Sequence, residues 1–136
     1  MSAASEIYET TIAVEPADID QMGHVNNVVY LRWVQEAATA HWTARATPAD
    51  QAHVLWVVVR HEIDYLRPAK LGDTILARTW VGPASRLKFE RHVELLRAAD
   101  RVVLAKARSL WCPIDSQTMR PAVVSDAVRA RFSLAE

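Results

Sequence analysis

A single stretch of helical periodicity, followed by several stretches of strand periodicity, most strongly constrains the fold of this chain. Over residues 27–46, apolar side chains recur every third or fourth position, as on one face of a helix. The segments after it alternate with period two, over residues 54–66, 74–82, 87–96 and 102–112. A parallel strand pair needs a crossover of about a dozen residues, and the last three segments are joined by shorter connections. The pattern therefore predicts an antiparallel meander.

Two further elements flank this pattern. Residues 7–14 are enriched in β-branched side chains and precede Pro16, so they are predicted to form a first strand. Ser125 is placed to cap a short final helix over residues 126–132. Over residues 87–95, the odd positions carry mainly apolar side chains and one arginine, whereas the even positions are charged or polar. One face of that strand is predicted to be core and the other solvated, within an α+β architecture.

Composition excludes several classes of function. The 136 residues suit one domain, 1–136, and the sixteen basic and sixteen acidic side chains cancel, which argues against a nucleic-acid partner. The three glycines, Gly23, Gly72 and Gly82, lie too far apart for a phosphate-binding loop. Cys112 is the only cysteine, so no internal disulfide is expected, and the five histidines lack metal-ligand spacing. No metal and no bound cofactor are predicted.

The sequence gives no signal for a membrane. Its longest strongly apolar run, residues 55–59, is far shorter than the roughly 18 residues of a spanning helix. The amino terminus has neither a basic start nor an apolar signal core. We therefore expect a cytoplasmic protein with no membrane association.

Residues 18–31, D-I-D-Q-M-G-H-V-N-N-V-V-Y-L, carry the most chemistry. They connect the first strand to the long helix, whose start Asn26 or Asn27 can cap. Free N–H groups at a helix start can polarise a carbonyl, and a neighbouring carboxylate can act as a base or nucleophile. The alternative interpretation is a polar turn in which the Asp and Asn side chains serve only as caps.

At these residues the sequence resembles a known family. The pattern D-x-D-x-x-G-H-V-N-N-x-x-Y-L before an apolar helix is similar to the acyl-CoA thioesterases of the 4-hydroxybenzoyl-CoA thioesterase type. The resemblance continues through Y-L-R-P-A-K-L-G-D at 65–73 and W-C-P-I-D-S-Q-T-M-R-P at 111–121, and covers about residues 7–132. It implies the hotdog fold, in which a five-stranded antiparallel sheet of order 1-3-4-5-2 wraps a long central helix.

The resemblance also implies a reaction and its residues. The expected activity is hydrolysis of an acyl-CoA thioester, with coenzyme A entering only as part of the substrate. The family's catalytic aspartate falls on Asp20, and its carbonyl-polarising N–H falls near Asn27. His24 is a candidate for a hydrogen bond in the site. The predicted substrate-binding residues are Gly23, which bends the chain, together with Asn26, Tyr30, Arg86 and Lys88.

Several alternatives remain open on sequence alone. Another branch of hotdog thioesterases uses an acid on the central helix, and Glu36 is such an acid, although Arg32 lies four residues before it. Asp18 is predicted to be a solvated or capping acid. Arg86 and Lys88 flank a hairpin that Gly82 is expected to begin, and they are candidates for the coenzyme A phosphates.

The class of function has alternatives too. A non-catalytic acyl or coenzyme A binder would keep the fold without turnover. A hotdog dehydratase or hydratase is disfavoured because no N-P-H sequence occurs. The carrier, coenzyme A or acyl carrier protein, stays open, as does the acyl group. A homodimer or homotetramer is expected from the resemblance and from the apolar edge that residues 54–59 offer for pairing.

Overall fold

A computed structural model describes residues 5–132 and shows one sheet folded around one long helix. A short 3-10 helix (Pro16–Asp18) leads into the loop before the long helix. In chain order the other elements are β1 (Tyr8–Ala13), α1 (Asn27–Arg45), α2 (Pro48–His53), β2 (Val54–Tyr65), β3 (Thr74–Ala84), β4 (Phe89–Arg97), β5 (Val103–Asp115) and α3 (Asp126–Arg131). The five strands follow the order β1-β3-β4-β5-β2, and all pairs are antiparallel. The predicted hotdog fold and its strand order are confirmed.

The core lies between α1 and the concave face of the sheet. Trp33, Val34 and Ala37 are fully buried on one side of α1 because they recur at helical spacing. They pack against the inward-facing residues of β3, β4 and β5, among them Leu95 and Leu104. The opposite face of α1 stays exposed, so the helix is wrapped on one side only.

The predicted alternation of the fourth strand is also confirmed. In β4, Phe89, Val93 and Leu95 are buried, whereas Glu90 and Glu94 on the opposite face are only half-buried. Arg108 forms ion pairs with Glu90 on that outer face. The outer face of the sheet therefore carries charge pairs, and the apolar residues point toward α1.

Two local features differ from the sequence analysis. The short helix α2 was not anticipated; Thr47 caps it by accepting a hydrogen bond from the Asp50 N–H at 3.1 Å. Gly82 does not begin the hairpin, because β3 continues to Ala84. A side chain at Gly82 would meet His92 Nε2 at 3.0 Å, so close cross-strand approach explains the glycine.

The two ends of the sheet have different neighbours. The loop before α1 joins the end where β3 begins, since the Val25 N–H donates to the Ala69 carbonyl at 2.9 Å. The hairpin between β3 and β4 lies at the other end, against α3, where the Arg129 guanidinium donates to the Ser85 carbonyl at 3.0 Å. Within residues 5–132, no helix combines the length and the apolar character needed to cross a membrane.

Candidate active site

The loop between the 3-10 helix and α1 holds the Asp20 side chain in a fixed orientation. Oδ1 of Asp20 accepts hydrogen bonds from the backbone N–H groups of Met22, at 2.9 Å, and His24, at 3.3 Å. The Asp20 N–H donates to the His24 carbonyl at 2.8 Å, and Gly23 turns the chain with φ +77°. Oδ2 of Asp20 has no hydrogen-bond partner among residues 5–132, which leaves this oxygen available to a ligand.

The amino-terminal turn of α1 presents one unused donor. Asn26 is the N-cap: its Oδ1 accepts from the Val28 N–H at 3.0 Å, and its carbonyl accepts from Val29. The intervening N–H of Asn27 has no acceptor in the described part of the chain. Asn26 rather than Asn27 therefore caps the helix, and the Asn27 N–H is free to polarise a carbonyl oxygen.

Asp20 and Asn27 line one cleft of about 410 Å³, together with His24, Asn26 and Tyr30. The phenol oxygen of Tyr30 accepts from the buried Ala69 N–H at 2.7 Å, and burial raises the pKa of that phenol. The His24 imidazole makes no hydrogen bond with the described residues, so it lines the cleft without a partner. Five of the eight predicted site residues are thus brought together here.

Of the other three, Gly23 shapes the loop, whereas Arg86 and Lys88 lie elsewhere in this chain. They belong to the exposed β3–β4 hairpin, at the opposite end of the sheet from Asp20. Neither lines the cleft. A single chain therefore does not place them beside the predicted nucleophile.

The rival carboxylates are both engaged in ion pairs. Glu36 is exposed on α1, with its Oε1 at 3.4 Å from Arg32 Nε. Asp18 is buried rather than solvated; its Oδ1 lies 3.0 Å from Arg32 Nη2, and its Oδ2 accepts from the Glu15 N–H. The capping role predicted for Asp18 is confirmed, and neither acid lines the cleft.

Sequence reasoning missed two polar residues of the cleft wall, Tyr65 and Arg67. The Tyr65 hydroxyl donates to the Asn27 carbonyl at 3.3 Å, so it contacts the residue whose N–H is unused. Arg67 is an exposed cation on the same wall. Both residues belong to the Y-L-R-P motif. The polar side chains of that motif were the available sign that this segment contacts the Asp20 loop.

A second cavity, of about 300 Å³, lies at the carboxyl-terminal end of α1. Its walls come from α1, β2, β4, β5 and α3, and most of its lining side chains are apolar or aromatic. Arg91 on β4 also lines it. Arg91 is the arginine at an odd position of the predicted core face, so the sequence already marked it as unusual.

A chain of buried polar groups stands behind Arg91. Its Nη1 donates to Nδ1 of the fully buried His41 and to Oγ1 of Thr79, both at 3.0 Å. Nε2 of His41 lies 2.8 Å from a carboxylate oxygen of Glu6. Since a guanidinium can only donate, Nδ1 of His41 accepts and Nε2 carries the proton. Burial, with the charge of Arg91, lowers the pKa of His41 to about 4, so this imidazole is neutral at pH 7.

No group of three or more His, Cys, Asp or Glu side chains within residues 5–132 is arranged to hold a metal ion. The expectation that the protein uses no metal and no cofactor stays a prediction.

Comparison with known proteins gives consistent matches. A family model described as "Thioesterase-like superfamily" matches residues 14–132. An uncharacterised protein of Mycobacterium tuberculosis is 26% identical over 126 residues, covering 93% of this chain and 49% of that protein. The chain therefore spans about half the length of that curated relative.

Solved structures show the same fold. A thioesterase from Thermus thermophilus, complexed with coenzyme A and Zn, is 28% identical, with a TM-score of 0.79 over 91% of this chain and 90% of that one. A 1,4-dihydroxy-2-naphthoyl-CoA thioesterase from Synechocystis is 21% identical, with a TM-score of 0.81 over 93% and 96%. Because the Synechocystis enzyme is only 21% identical, its likeness to this chain concerns the fold alone.

Proposed function

Because this chain belongs to the thioesterase-like superfamily, we propose that it hydrolyses an acyl-CoA thioester to a free acid and coenzyme A. One observation carries the proposal: Asp20, whose Oδ2 is unpartnered, and Asn27, whose N–H is unused, line the same cleft. A carboxylate and an N–H donor are the two groups that addition to a thioester carbonyl requires. The coenzyme A bound to the Thermus relative supports this carrier.

The chemistry assigned to the cleft is simple. The thioester carbonyl accepts a hydrogen bond from the Asn27 N–H, which stabilises negative charge on that oxygen as the carbonyl is attacked. Asp20 either takes a proton from the attacking water or attacks the carbonyl itself. On the first route the carbon–sulfur bond then breaks, and coenzyme A leaves as the thiol with the proton taken from water. On the second route coenzyme A leaves as a thiolate, and water then cleaves the acyl–aspartyl anhydride, which restores the Asp20 carboxylate and supplies the thiol's proton. Tyr30, Asn26 and His24 frame the substrate around these two groups.

The proposal includes a pair of subunits joined through β2. This strand is an edge of the sheet, is 12 residues long, and exposes the apolar side chains of Leu55, Val57 and Val59. Long apolar edges are normally covered, and an antiparallel partner strand would cover this one. The proposal also includes the assembly of two such dimers into a tetramer.

Such pairing also bears on the coenzyme A phosphates. An antiparallel β2 pair would set the hairpin end of one subunit beside the Tyr65 end of the other, so the partner subunit's Arg86 and the partner subunit's Lys88 would approach this cleft. Arg67 already lines it. We propose that these cations bind the coenzyme A phosphates. We also propose that the chain is a single domain of the 4-hydroxybenzoyl-CoA thioesterase type.

The test is hydrolysis of an acyl-CoA panel by wild type, Asp20→Asn and Glu36→Gln. Loss of a general base or nucleophile typically lowers turnover by about 10²- to 10⁴-fold, and this is expected for Asp20→Asn. Glu36→Gln is the matched control, because this acid lies outside the cleft and pairs only with Arg32. Full turnover in Asp20→Asn, or loss confined to Glu36→Gln, would refute the assignment.

A further inference from the structure

The cavity at the carboxyl-terminal end of α1 is built mainly from apolar walls. Four aromatic side chains of the wall pack edge to face or stacked against one another, namely Trp42, Trp56, Phe89 and Phe132, and Trp111 lines the cavity beside them. Arg91 is the one charged side chain on the wall within the described residues. A cation facing an apolar cavity is costly unless an anion or an acceptor meets it.

The guanidinium of Arg91 is only partly satisfied by the protein. Both of its hydrogen bonds leave from Nη1, so Nε and Nη2 have no acceptor among residues 5–132. No carboxylate forms a salt bridge with Arg91 in that part of the chain. Burial lowers the pKa of Arg91 to about 10, so the group is still charged at neutral pH. The guanidinium of Arg91 is therefore charged, and its Nε and Nη2 donors are unpaired among the described residues.

The nearest acid does not neutralise this charge. Glu6 lies behind His41, and the neutral imidazole separates its carboxylate from Arg91. The same carboxylate also accepts two hydrogen bonds from Nε of Arg45, at 2.8 and 2.9 Å. Glu6 is therefore committed to His41 and Arg45, and the cavity side of Arg91 faces no negative charge.

Two other donors of the wall also lack acceptors. The indole N–H groups of Trp56 and Trp111 are buried without a hydrogen-bond partner. Thr39 and Gln51 line the cavity too, as neutral polar side chains. The charged group of the wall and its buried unpartnered groups are therefore all donors, which favours a ligand that brings acceptor oxygens.

We propose that this cavity binds an apolar carboxylate, with the carboxylate on Nε and Nη2 of Arg91 and the apolar body against the tryptophan rings. The volume is about twice the ~150 Å³ of a cavity known to hold benzene, which suits a chain of roughly eight to ten carbons. Two sources share this chemistry: the carboxylate end of an acyl group and a free carboxylic acid.

The first source rests on the proposed function and on the β2 pair. Ala38 at the cavity lies 11 residues along α1 from Asn27, a distance of about 17 Å, so the two sites of one chain are far apart. An antiparallel β2 pair would instead set the Val54 end of one subunit near the Tyr65 end of the other. The distal end of an acyl group held at one subunit's Asp20 would then enter the other subunit's cavity.

The direct test is calorimetric titration with octanoate and with its uncharged match, octanamide. Wild type should bind octanoate at least tenfold more tightly, since charge-assisted hydrogen bonds are lost in the amide. Arg91→Met should bind both equally, Arg91→Lys should keep part of the preference, and Arg108→Met on the outer face should keep all of it. Equal binding by wild type, or an undiminished preference in Arg91→Met, would overturn the proposal.

The location is tested separately, in case Arg91→Met does not fold. Val128→Trp fills the cavity from α3 and should abolish octanoate binding. Unchanged binding in this variant would also overturn the proposal. Asp20→Asn should bind octanoate as wild type does, because its cleft is distinct from the cavity.

A second arm identifies the source. Wild type and Arg91→Met are compared on decanoyl-CoA and on the coenzyme A monothioester of decanedioic acid. An Arg91-dependent gain in kcat/KM for the carboxylate-ended substrate assigns the site to the acyl group, and Arg91-dependent octanoate binding without that gain assigns it to a free acid. Octanoate binding with no hydrolysis of any thioester in the acyl-CoA panel would refute the proposed function and leave the cavity site standing.

Discussion

The two ends of α1 present opposite kinds of site. At the amino-terminal end, a loop and a helix start build an open cleft from backbone N–H groups and one carboxylate. At the carboxyl-terminal end, strands and helices enclose an apolar cavity whose one charged wall residue is Arg91. In the first site, Asp20 to Tyr30 lie close together in sequence, and the end of β2 adds Tyr65 and Arg67 to the wall. The second site requires the whole sheet to be in place.

This difference separates reaction from recognition. The cleft has the carboxylate and the N–H donor that the proposed reaction uses, but its walls are less apolar than those of the cavity. The cavity has the apolar surface and a charge but no unpartnered carboxylate that could act on a carbonyl. The two sites lie side by side only if a second subunit joins the first through β2. The following variants test whether reaction and recognition are divided between the two sites in this way.

The largest expected effect comes from breaking the β2 edge. Val59→Lys sets a cation in the exposed apolar edge of β2, where a partner strand would have to bury it without a counter-charge, and an unpaired buried charge costs several kcal/mol. We expect association to weaken by about 100-fold or more, with hydrolysis falling in parallel. Light scattering should then give a particle near 15.3 kDa.

Val59→Thr, which keeps the β-branched shape, is the control for that change. It should stay associated and active. An active 15.3 kDa particle in either variant would show that the cleft works without a partner.

The next effect concerns the buried polar chain behind the cavity. His41 has a pKa near 6.5 when unfolded and about 4 when folded, so the unfolded chain binds more protons between these values. Its contribution to the free energy of unfolding is full above about pH 6.5 and declines as the pH falls to 4. The expected loss is roughly 3 kcal/mol.

Urea denaturation at several pH values measures this loss. His41→Gln should lose the same free energy of unfolding at every pH, because its side chain does not titrate. Its free energy of unfolding should therefore change less than that of wild type between pH 6.5 and 4. Parallel profiles for the two proteins would contradict the buried neutral imidazole.

A smaller effect distinguishes two tyrosines of the cleft. Tyr30→Phe leaves the buried Ala69 N–H without an acceptor, which should lower the free energy of unfolding by about 1–3 kcal/mol. Tyr65→Phe removes only a long bond from an exposed hydroxyl and should cost less than about 0.5 kcal/mol. Chemical denaturation measures the free energy of unfolding of both variants. Equal losses would contradict the larger contribution expected of the Tyr30 hydrogen bond.

The smallest effect concerns helix caps. Asn26→Ala and Thr47→Ala each remove an N-cap and should each lower stability by about 1 kcal/mol. Only Asn26→Ala should also reduce turnover, because it loosens the turn that presents the Asn27 N–H. Thermal melts and hydrolysis assays test the pair, and matching turnover in both variants would separate the cap from the chemistry.

Much of the fold could be predicted from local pattern. Period and short connections predicted α1 and the meander, because amphipathic spacing is a property of neighbouring residues. The cleft residues from Asp20 to Tyr30 were also predictable, because they lie in one loop and one helix turn. Tyr65 and Arg67 were missed because their approach to that loop depends on how the chain leaves β2.

The sequence by itself determined α1, α3, the five strands, the polar loop and the arginine at an odd position of the fourth strand. Only the tertiary structure decided that Glu6, His41 and Arg91 form one chain of contacts, since they come from three distant segments. It also decided that Arg86 and Lys88 stand far from Asp20 in one subunit. Strand order and register are set by packing over the whole sheet, and no local pattern records which distant side chains that packing brings together.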